Sequence, residues 1–230
     1  MPIDALVFDK DGTLFDFAAT WSAFGREAVL LLADGDEARA AELGQIIGFD
    51  LASESYAPDS VVIAGTVDEI AEALAPHLPN LSQPRIVAIL NDASADARQV
   101  PAVPLAPFLD TLRSAGLRLG VATNDAETSA VQHLASVGIA DHFDFVAGYD
   151  SGHGFKPGPG QLLAFARHVD VDPSRIAMVG DSLHDLEAGR AAGMVTIGVL
   201  TGMAPADVLK PLADVVLPDI GHIPGWLSER

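Results

Sequence analysis

The second half of the chain alternates short apolar runs with longer segments whose apolar residues recur at helical spacing. The runs are LRLGVATN, FDFVAG, IAMVGD and TIGVL, and most of the segments between them close on a glycine. Apolar runs separated by helices are typical of a parallel sheet covered on both faces. ALVF, residues 5–8, has the same character. These patterns predict an α/β fold, with a Rossmann-like, doubly wound parallel sheet built from residues 1–15 and 101–230.

Residues 16–100 have a different pattern. FAATWSAFGREAVLLLADGDEARAAEL, VDEIAEALAPHL and LSQPRIVAILNDASADARQ are helical in period, and no comparable run of strands interrupts them. The chain then returns to the sheet through the proline-rich PAVPLAP, residues 101–107, which suits a semi-rigid hinge. The pattern therefore predicts a helical domain inserted after the first strand.

Composition limits the chemistry and the partners of the chain. The 230 residues include no cysteine, which excludes disulfides, thiolate metal sites and a cysteine nucleophile. A net charge of −19 repels nucleic acids and anionic membrane surfaces, so we expect neither as a partner. The N-terminus has no basic opening, and no segment approaches the roughly 20 apolar residues of a membrane-spanning helix. A cytoplasmic protein is expected.

Polar residues follow nearly every predicted strand. Ligands bind at the carboxyl ends of the strands in an open parallel sheet, so these residues are the candidate site. The set is Asp9, Asp11, Thr123, Asn124, Asp181 and Asp185, with Lys156 in the glycine-rich loop after FDFVAG.

Three of these residues, Asp9, Asp11 and Asp181, indicate a metal ion. Carboxylates about 4 Å apart repel each other by several kcal/mol at an effective dielectric constant of about 20, so they converge only around a cation. The positions hold neither histidine nor cysteine. Oxygen ligands alone favour Mg²⁺ over zinc.

The remaining groups suit the transfer of a phosphoryl group. The Thr123 hydroxyl, the backbone N–H groups from Asn124 onwards and the charge of Lys156 can hold phosphate oxygens. Asp9 is the candidate nucleophile, which attacks phosphorus to form an aspartyl-phosphate. Asp11 is then placed to protonate the leaving oxygen and later to deprotonate water, while Gly12 permits a tight turn.

The chain resembles the haloacid dehalogenase superfamily of phosphohydrolases. The resemblance rests on DKDGTL at 9–14, the threonine of VATND at 121–125, Lys156 in KPGP, and GDSLHD at 180–185, in the order of the four family motifs. It implies that Asp9 and Asp181 bind magnesium through their side chains and Asp11 through its backbone carbonyl. It also implies that Asp185 supports the metal shell.

The family resemblance also gives the insertion a role. Residues 16–100 fall where the family inserts a helical cap of the first type, which closes over small substrates and excludes water. Within the family, the chain resembles phosphoglycolate-phosphatase-like hydrolases. We therefore expect a magnesium-dependent phosphatase whose partner is a small phosphorylated metabolite.

Two alternative functions stay open at this stage. A phosphomutase of the β-phosphoglucomutase type uses a similar fold and returns the phosphoryl group to its sugar. A signalling receiver also combines acidic residues, threonine and lysine on a parallel sheet, but the large insertion argues against it. Asp11 speaks against a dehalogenase, and the absence of lysine between Lys10 and Lys156 speaks against a phosphonatase.

Several other residues receive interpretations of their own. Lys10 is expected to point away from the carboxylates, because successive side chains of a strand alternate. The insertion offers candidates for contact with a substrate carboxylate: Arg26, Arg39, His77, Arg85 and Arg98. The chain's histidines show no metal-ligand spacing and are expected at the surface or in loops; they are residues 77, 133, 142, 153, 168, 184 and 222.

Overall fold

A computed structural model describes residues 2–95 and 97–229 of the chain. Its strands are β1 (Ala5–Phe8), β2 (Phe49–Asp50), β3 (Ser55–Tyr56), β4 (Arg118–Ala122), β5 (Phe145–Ala147), β6 (Ile176–Gly180), β7 (Val195–Val199) and β8 (Val215–Leu217). Its α-helices are α1 (Phe17–Leu32), α2 (Glu37–Ile46), α3 (Val61–Ala64), α4 (Val67–Leu74), α5 (Gln83–Ala95), α6 (Leu105–Ser114), α7 (Glu127–Ser136), α8 (Gly160–Val169), α9 (Leu183–Ala192), α10 (Ala206–Leu209) and α11 (Ile223–Ser228).

The chain divides into two compact units. One comprises Met1–Phe17 and Gln99–Arg230, and the other comprises Ala18–Arg98. The first unit contains a six-stranded parallel sheet, and the second is mainly helical. The role of the inserted segment as a substrate cap stays a prediction.

The sheet of the first unit has the strand order β5-β4-β1-β6-β7-β8, and every neighbouring pair is parallel. Successive strands are therefore added on one side of β1 as far as β5 and then on the other side from β6. This reversal creates a switch point between β1 and β6, where the loops leave in opposite directions and open a crevice. The predicted doubly wound α/β fold is confirmed.

Both faces of the sheet are covered, as the continuous apolar strands predict. In β1, Leu6 and Phe8 pack into the cluster that contains residues of α6, α7 and α11. Ala5 and Val7, on the opposite face, pack with residues of α8 and α9. Each fully buried Leu or Phe contributes about 1.5–3 kcal/mol through the area it removes from water. β1 is thus the rigid centre from which the following loop leaves.

The second unit departs from the predicted run of helices at two places. Helix α1 ends before Asp34 and Gly35, which both have positive φ angles, and Asp36 then caps α2 by accepting from two backbone N–H groups. Further on, β2 and β3 form a short antiparallel hairpin that the sequence pattern did not predict. Two-residue strands are too short to show an alternating pattern.

The β8 strand was likewise not predicted. It contains only three residues and forms one edge of the large sheet beside β7. The strands that were predicted in the first unit, β1, β4, β5, β6 and β7, are all present.

Candidate active site

Asp9 lies at the switch point of the sheet. Its backbone N–H donates to the Val179 carbonyl at 2.8 Å, which continues the pairing of β1 with β6 for one residue past the end of β1. Asp181 is likewise the first residue after the end of its strand, β6. The two carboxylates that sequence spacing predicted at neighbouring strand ends therefore lie close together.

Asp9, Asp181 and Asp185 form a group that could hold a metal ion. One carboxylate oxygen from each lies within 4.8 Å of the others, and all three residues are buried. The Asp11 carboxylate is not part of this group. We call Asp9, Asp181, Asp185 and Lys156, which pairs with two of them, the metal-side cluster.

The turn after Asp9 depends on Gly12. Its φ angle is +83°, and a Cβ atom there would lie 2.5 Å from the Asp181 carboxylate carbon. A side chain at this position would meet both backbone strain and a clash. The Thr13 hydroxyl donates to Asp181 Oδ1 at 3.3 Å, and the Thr201 hydroxyl donates to the Gly12 carbonyl at 2.6 Å. These bonds fix the turn around Asp181.

Lys156 bridges two carboxylates of the metal-side cluster. Its Nζ lies 2.6 Å from Asp9 Oδ1 and 2.6 Å from Asp185 Oδ1, and its side chain is 3 % exposed. Asn124 holds the loop that carries it: the Asn124 amide donates to the Lys156 carbonyl and accepts from the Lys156 N–H, both at 2.9 Å. The side chain of Asn124 thus positions Lys156, and the predicted phosphate contact through the Asn124 backbone N–H stays a prediction.

Asp185 is held at the start of α9 by a capping box. Ser182, the N-cap residue, accepts from the Asp185 N–H, and Asp185 Oδ2 accepts from the Ser182 N–H at 3.0 Å and its hydroxyl at 2.6 Å. A carboxylate in the first turn of a helix is also stabilised by the helix dipole. One Asp185 oxygen is therefore used by the helix cap and the other by Lys156.

The electrostatics of the metal-side cluster reflect burial of three acids near one lysine. Burial, reinforced by Asp185 and Asp11, raises the pKa of Asp9 to about 7 although Lys156 opposes the shift. Burial, followed by Asp9 and Asp185, raises the pKa of Asp181 well above its usual range. Burial alone would lower the pKa of Lys156, but Asp185 and Asp9 outweigh it, and the pKa lies above its ordinary value. The cluster favours added positive charge.

Thr123 lies at the end of the neighbouring strand β4 and is buried. Its hydroxyl oxygen accepts from the Asp125 N–H at 3.1 Å, a bond that does not use the hydroxyl hydrogen. Its carbonyl accepts from the side-chain amide of the buried Gln161 at 2.9 Å. Thr123 is thereby held from both sides, and its hydroxyl hydrogen can be donated to a phosphate oxygen.

Asp11 belongs to a second group of charges. Lys10 Nζ lies 2.7 Å from Asp11 Oδ1 and 2.6 Å from Oδ2, 3.1 Å from His133 Nδ1 and 3.3 Å from Asp125 Oδ2. We call these four residues the Lys10 cluster. Burial opposes the charge of Lys10, but Asp11 and Asp125 outweigh it and raise its pKa. Burial also raises the pKa of Asp125, against the effect of Lys10.

Two expectations about this cluster were wrong. Lys10 does not point away from all the carboxylates, because the turn after β1 brings Asp11 back beside it. His133 is 1 % exposed rather than a surface residue, because it lies on the buried face of α7. Strand alternation and the lack of metal-ligand spacing carried no information about either contact.

Sequence reasoning also missed Thr13, Gln161 and Thr201, which position the turn and Thr123. Thr13 lies within the DKDGTL motif, and its position four residues after Asp9 could have indicated a role in the site. Gln161 and Thr201 come from α8 and from the loop after β7, and no local pattern marks them.

Two of the basic residues that were candidates for contact with a substrate carboxylate form ion pairs with acidic residues of the helical unit. Arg26 lies 3.4 Å from Glu37 and 3.7 Å from Glu54, and Arg39 lies 2.6 Å from Glu42. The side chains of His77, Arg85 and Arg98 are exposed. Exposed pairs of this kind contribute little to stability, about 0–1 kcal/mol.

Comparison with protein families and curated proteins gives consistent matches. A family model described as a haloacid dehalogenase-like hydrolase matches residues 3–193. A phosphoglycolate phosphatase from Nitrosospira multiformis is 30 % identical, across 96 % of this chain and 93 % of that protein. One from Neisseria meningitidis is 37 % identical over 118 residues, and this match spans only half the length of each chain. The chain thus spans about half the length of some of the curated relatives that it matches.

Solved structures share the fold at lower identity. A β-phosphoglucomutase from Clostridium difficile superimposes with a TM-score of 0.69 at 20 % identity, covering 99 % of this chain and 98 % of that one.

Among the described residues, no helix combines the length and apolar character needed to cross a membrane.

Proposed function

The chain belongs to the haloacid dehalogenase-like hydrolase family, and we propose that it is a magnesium-dependent phosphatase of small phosphomonoesters. The observation that supports this most strongly is the metal-side cluster, in which three buried carboxylates and Lys156 meet at the switch point of the sheet. Such a cluster pairs an excess of negative charge with a fixed positive charge. Phosphoryl transfer requires both a cation and groups that align the phosphate.

The residues present fit Mg²⁺. Asp9, Asp181 and Asp185 offer only carboxylate oxygens, the ligands that a hard cation prefers. The backbone carbonyl of Asp11, which the family resemblance implies as a ligand, completes the proposed set. When bound, the ion would neutralise charge on the phosphoryl group.

The side chains then divide the chemistry between them. An Asp9 oxygen attacks phosphorus, the ester P–O bond breaks, and Asp11 gives a proton to the leaving oxygen. Asp11 next takes a proton from water as the water oxygen attacks the aspartyl-phosphate, which releases phosphate and regenerates Asp9. Lys156, Thr123 and the backbone N–H of Asn124 hold the phosphate oxygens throughout.

For the substrate, we propose a small carboxylated phosphomonoester such as phosphoglycolate. The support is the relative from Nitrosospira multiformis, whose name gives this activity and which matches this chain along nearly its full length. The helical insertion, residues 16–100, is proposed as the cap that recognises the end of the substrate without phosphate. The cytoplasmic location stays a prediction.

A phosphomutase is the second candidate. The β-phosphoglucomutase from Clostridium difficile shares the fold at 20 % identity. This likeness extends to the whole chain but concerns the fold alone. The two functions differ in whether water or the sugar receives the phosphoryl group from Asp9.

One experiment separates the two candidates. Purified protein with MgCl₂ is assayed for phosphate release from phosphoglycolate, glycerol phosphate and sugar phosphates, and for conversion of β-glucose 1-phosphate to the 6-phosphate. We expect phosphate release, fastest with a carboxylated ester, and no isomer. Isomer formation without phosphate release would establish the mutase instead. The Asp9→Asn protein, assayed in parallel, controls for contaminating phosphatases.

A further inference from the structure

We propose that Lys10 is a positioning residue for Asp11, which it holds through both carboxylate oxygens. The proposal rests on the proposed function, because that function assigns Asp11 its acid and base roles. Lys10 itself touches neither the substrate nor the reacting atoms in this scheme. Its contribution is to fix where the Asp11 carboxylate lies.

The contact between the two side chains is close and doubled. Lys10 Nζ lies 2.7 Å from one Asp11 oxygen and 2.6 Å from the other. A carboxylate bound through one oxygen can still turn about its Cβ–Cγ bond, whereas one bound through both cannot turn freely. Lys10 therefore restricts the orientation of the group that must face the leaving oxygen.

The ammonium of Lys10 is in turn held by two further residues. His133 Nδ1, on helix α7, lies 3.1 Å away, and Asp125 Oδ2, in the loop after β4, lies 3.3 Å away. Lysine has a flexible stem and gives no fixed direction by itself. These two contacts, from separate elements, turn it into a fixed support for Asp11.

Burial explains why this support is rigid. Lys10 is 0 % exposed, and the Asp11 side chain retains 15 % exposure. Removing an ammonium from water is unfavourable unless opposite charges surround it, so the arrangement of the partners is strongly preferred over alternatives. The Asp11 end is the most exposed part of the cluster, ahead of Asp125 at 10 %. This is the end that must meet a substrate oxygen.

The first test uses Lys10→Met, which removes the charge at similar length, and compares substrates with different leaving groups. An alkyl alcohol needs a proton from Asp11 to leave, whereas an acidic phenol does not. If Lys10 acts through Asp11, kcat/KM should fall about 10²-fold for alkyl phosphates, and the loss should be at least about tenfold smaller for nitrophenyl phosphate. Lys210→Met, the same change at an exposed lysine, is the matched control. Equal losses for both classes of substrate would overturn the proposal.

A double-mutant cycle checks the route of the effect. On an Asp11→Asn background, Lys10→Met should cause little further loss of kcat/KM for alkyl phosphates, because the group that it positions has lost its function. Additive losses would mean that Lys10 acts independently of Asp11, and the proposal would be wrong.

The second test needs neither activity nor the Lys10 variant. The chain has three lysines, Lys10, Lys156 and Lys210, so their side-chain ammonium signals can be assigned by ¹⁵N NMR of lysine-labelled protein. We expect a Lys10 signal protected from solvent exchange that shifts in Asp11→Asn, while the Lys210 signal does not move. A Lys10 signal unchanged by Asp11→Asn contradicts the contact, even if Lys10→Met fails to fold. A wild-type protein that hydrolyses no phosphomonoester instead refutes the proposed function, and the NMR result is separate from that outcome.

Discussion

The metal-side cluster and the Lys10 cluster are built on the same plan but differ in charge. Each places a buried lysine between two carboxylates: Lys156 between Asp9 and Asp185, and Lys10 between Asp11 and Asp125. The metal-side cluster adds a third acid, Asp181, whereas the Lys10 cluster adds a histidine. Three acids against one lysine leave an excess that a divalent cation can balance. Two acids against one lysine are much closer to balance.

In the proposed function, this difference separates the cluster that holds the metal ion and the nucleophile from the cluster that positions Asp11. The excess of negative charge in the metal-side cluster can be relieved by a metal ion, and the raised pKa values of Asp9 and Asp181 follow from burial, reinforced by the neighbouring acids. The charges of the Lys10 cluster are closer to balance, and the cluster can serve as a fixed support. The two clusters diverge within three consecutive residues, since Asp9 joins the first and Lys10 and Asp11 join the second.

The strongest challenge to this comparison is Asp9→Asn. We expect kcat for phosphate release to fall by at least about 10⁴-fold, because the amide cannot attack phosphorus. The fold should survive, since the substitution removes one of three buried like charges. Phosphate release and thermal unfolding are measured on the same preparation. Activity within tenfold of wild type in a stable protein would remove Asp9 as nucleophile.

Removal of divalent cations should separate the two clusters. With excess EDTA, we expect phosphate release to drop by at least about 10³-fold, more than the loss of a single hydrogen-bond donor costs, and to return with MgCl₂. The Lys10 ammonium signal should remain in place, because that cluster needs no ion. Unchanged rates in chelator would contradict the proposed magnesium dependence.

Lys156→Met measures how far the metal-side cluster depends on its own lysine. We expect kcat/KM to fall about 10²- to 10³-fold through loss of a fixed charge on the phosphate. Asp9 and Asp185 also lose a buried partner, so the free energy of unfolding should fall by about 3 kcal/mol. Chemical denaturation and initial rates give the two values, with Lys210→Met as the exposed control. A variant as active as that control would exclude Lys156 from phosphate binding.

Asn124→Ala tests the support of Lys156 and should have the smallest effect. It removes two hydrogen bonds to the Lys156 backbone, and we expect the free energy of unfolding to fall by about 1–3 kcal/mol. A displaced Lys156 should lower kcat/KM about tenfold, short of the loss in Lys156→Met. The control is Asn80→Ala, at an exposed asparagine. A greater loss of activity than in Lys156→Met would show that Asn124 does more than position the lysine.

The sheet and the metal-side residues could be predicted because they follow general rules. Continuous apolar runs gave β1, β4, β5, β6 and β7, and parallel strands bring their carboxyl ends to one edge. Asp9 and Asp181 therefore had to be neighbours once β1 and β6 were adjacent. The strand order alone does not predict the contact of Lys156 with both Asp9 and Asp185. That contact also depends on the conformation of the loop that carries Lys156, which Asn124 fixes.

The Lys10 cluster could not be predicted from the same rules. Strand alternation states on which side Lys10 leaves β1, but Asp11 lies in a turn, where alternation no longer holds. His133 is buried because of the rotation of α7 against the sheet, which a weakly amphipathic segment does not reveal. The β2–β3 hairpin and β8 were missed because two or three residues are too few to show a period.

The like charges gathered at residues 9, 181 and 185 have a consequence for protein engineering. Without an ion, the buried charge of Asp181 opposes folding, because burial and the neighbouring Asp9 and Asp185 raise its pKa, so a neutral residue at this position would raise heat resistance. A library selected for thermal tolerance alone, in metal-free medium, would drift towards such replacements and return robust but inert proteins. Selection schemes for this scaffold should therefore keep magnesium present and score turnover in every round.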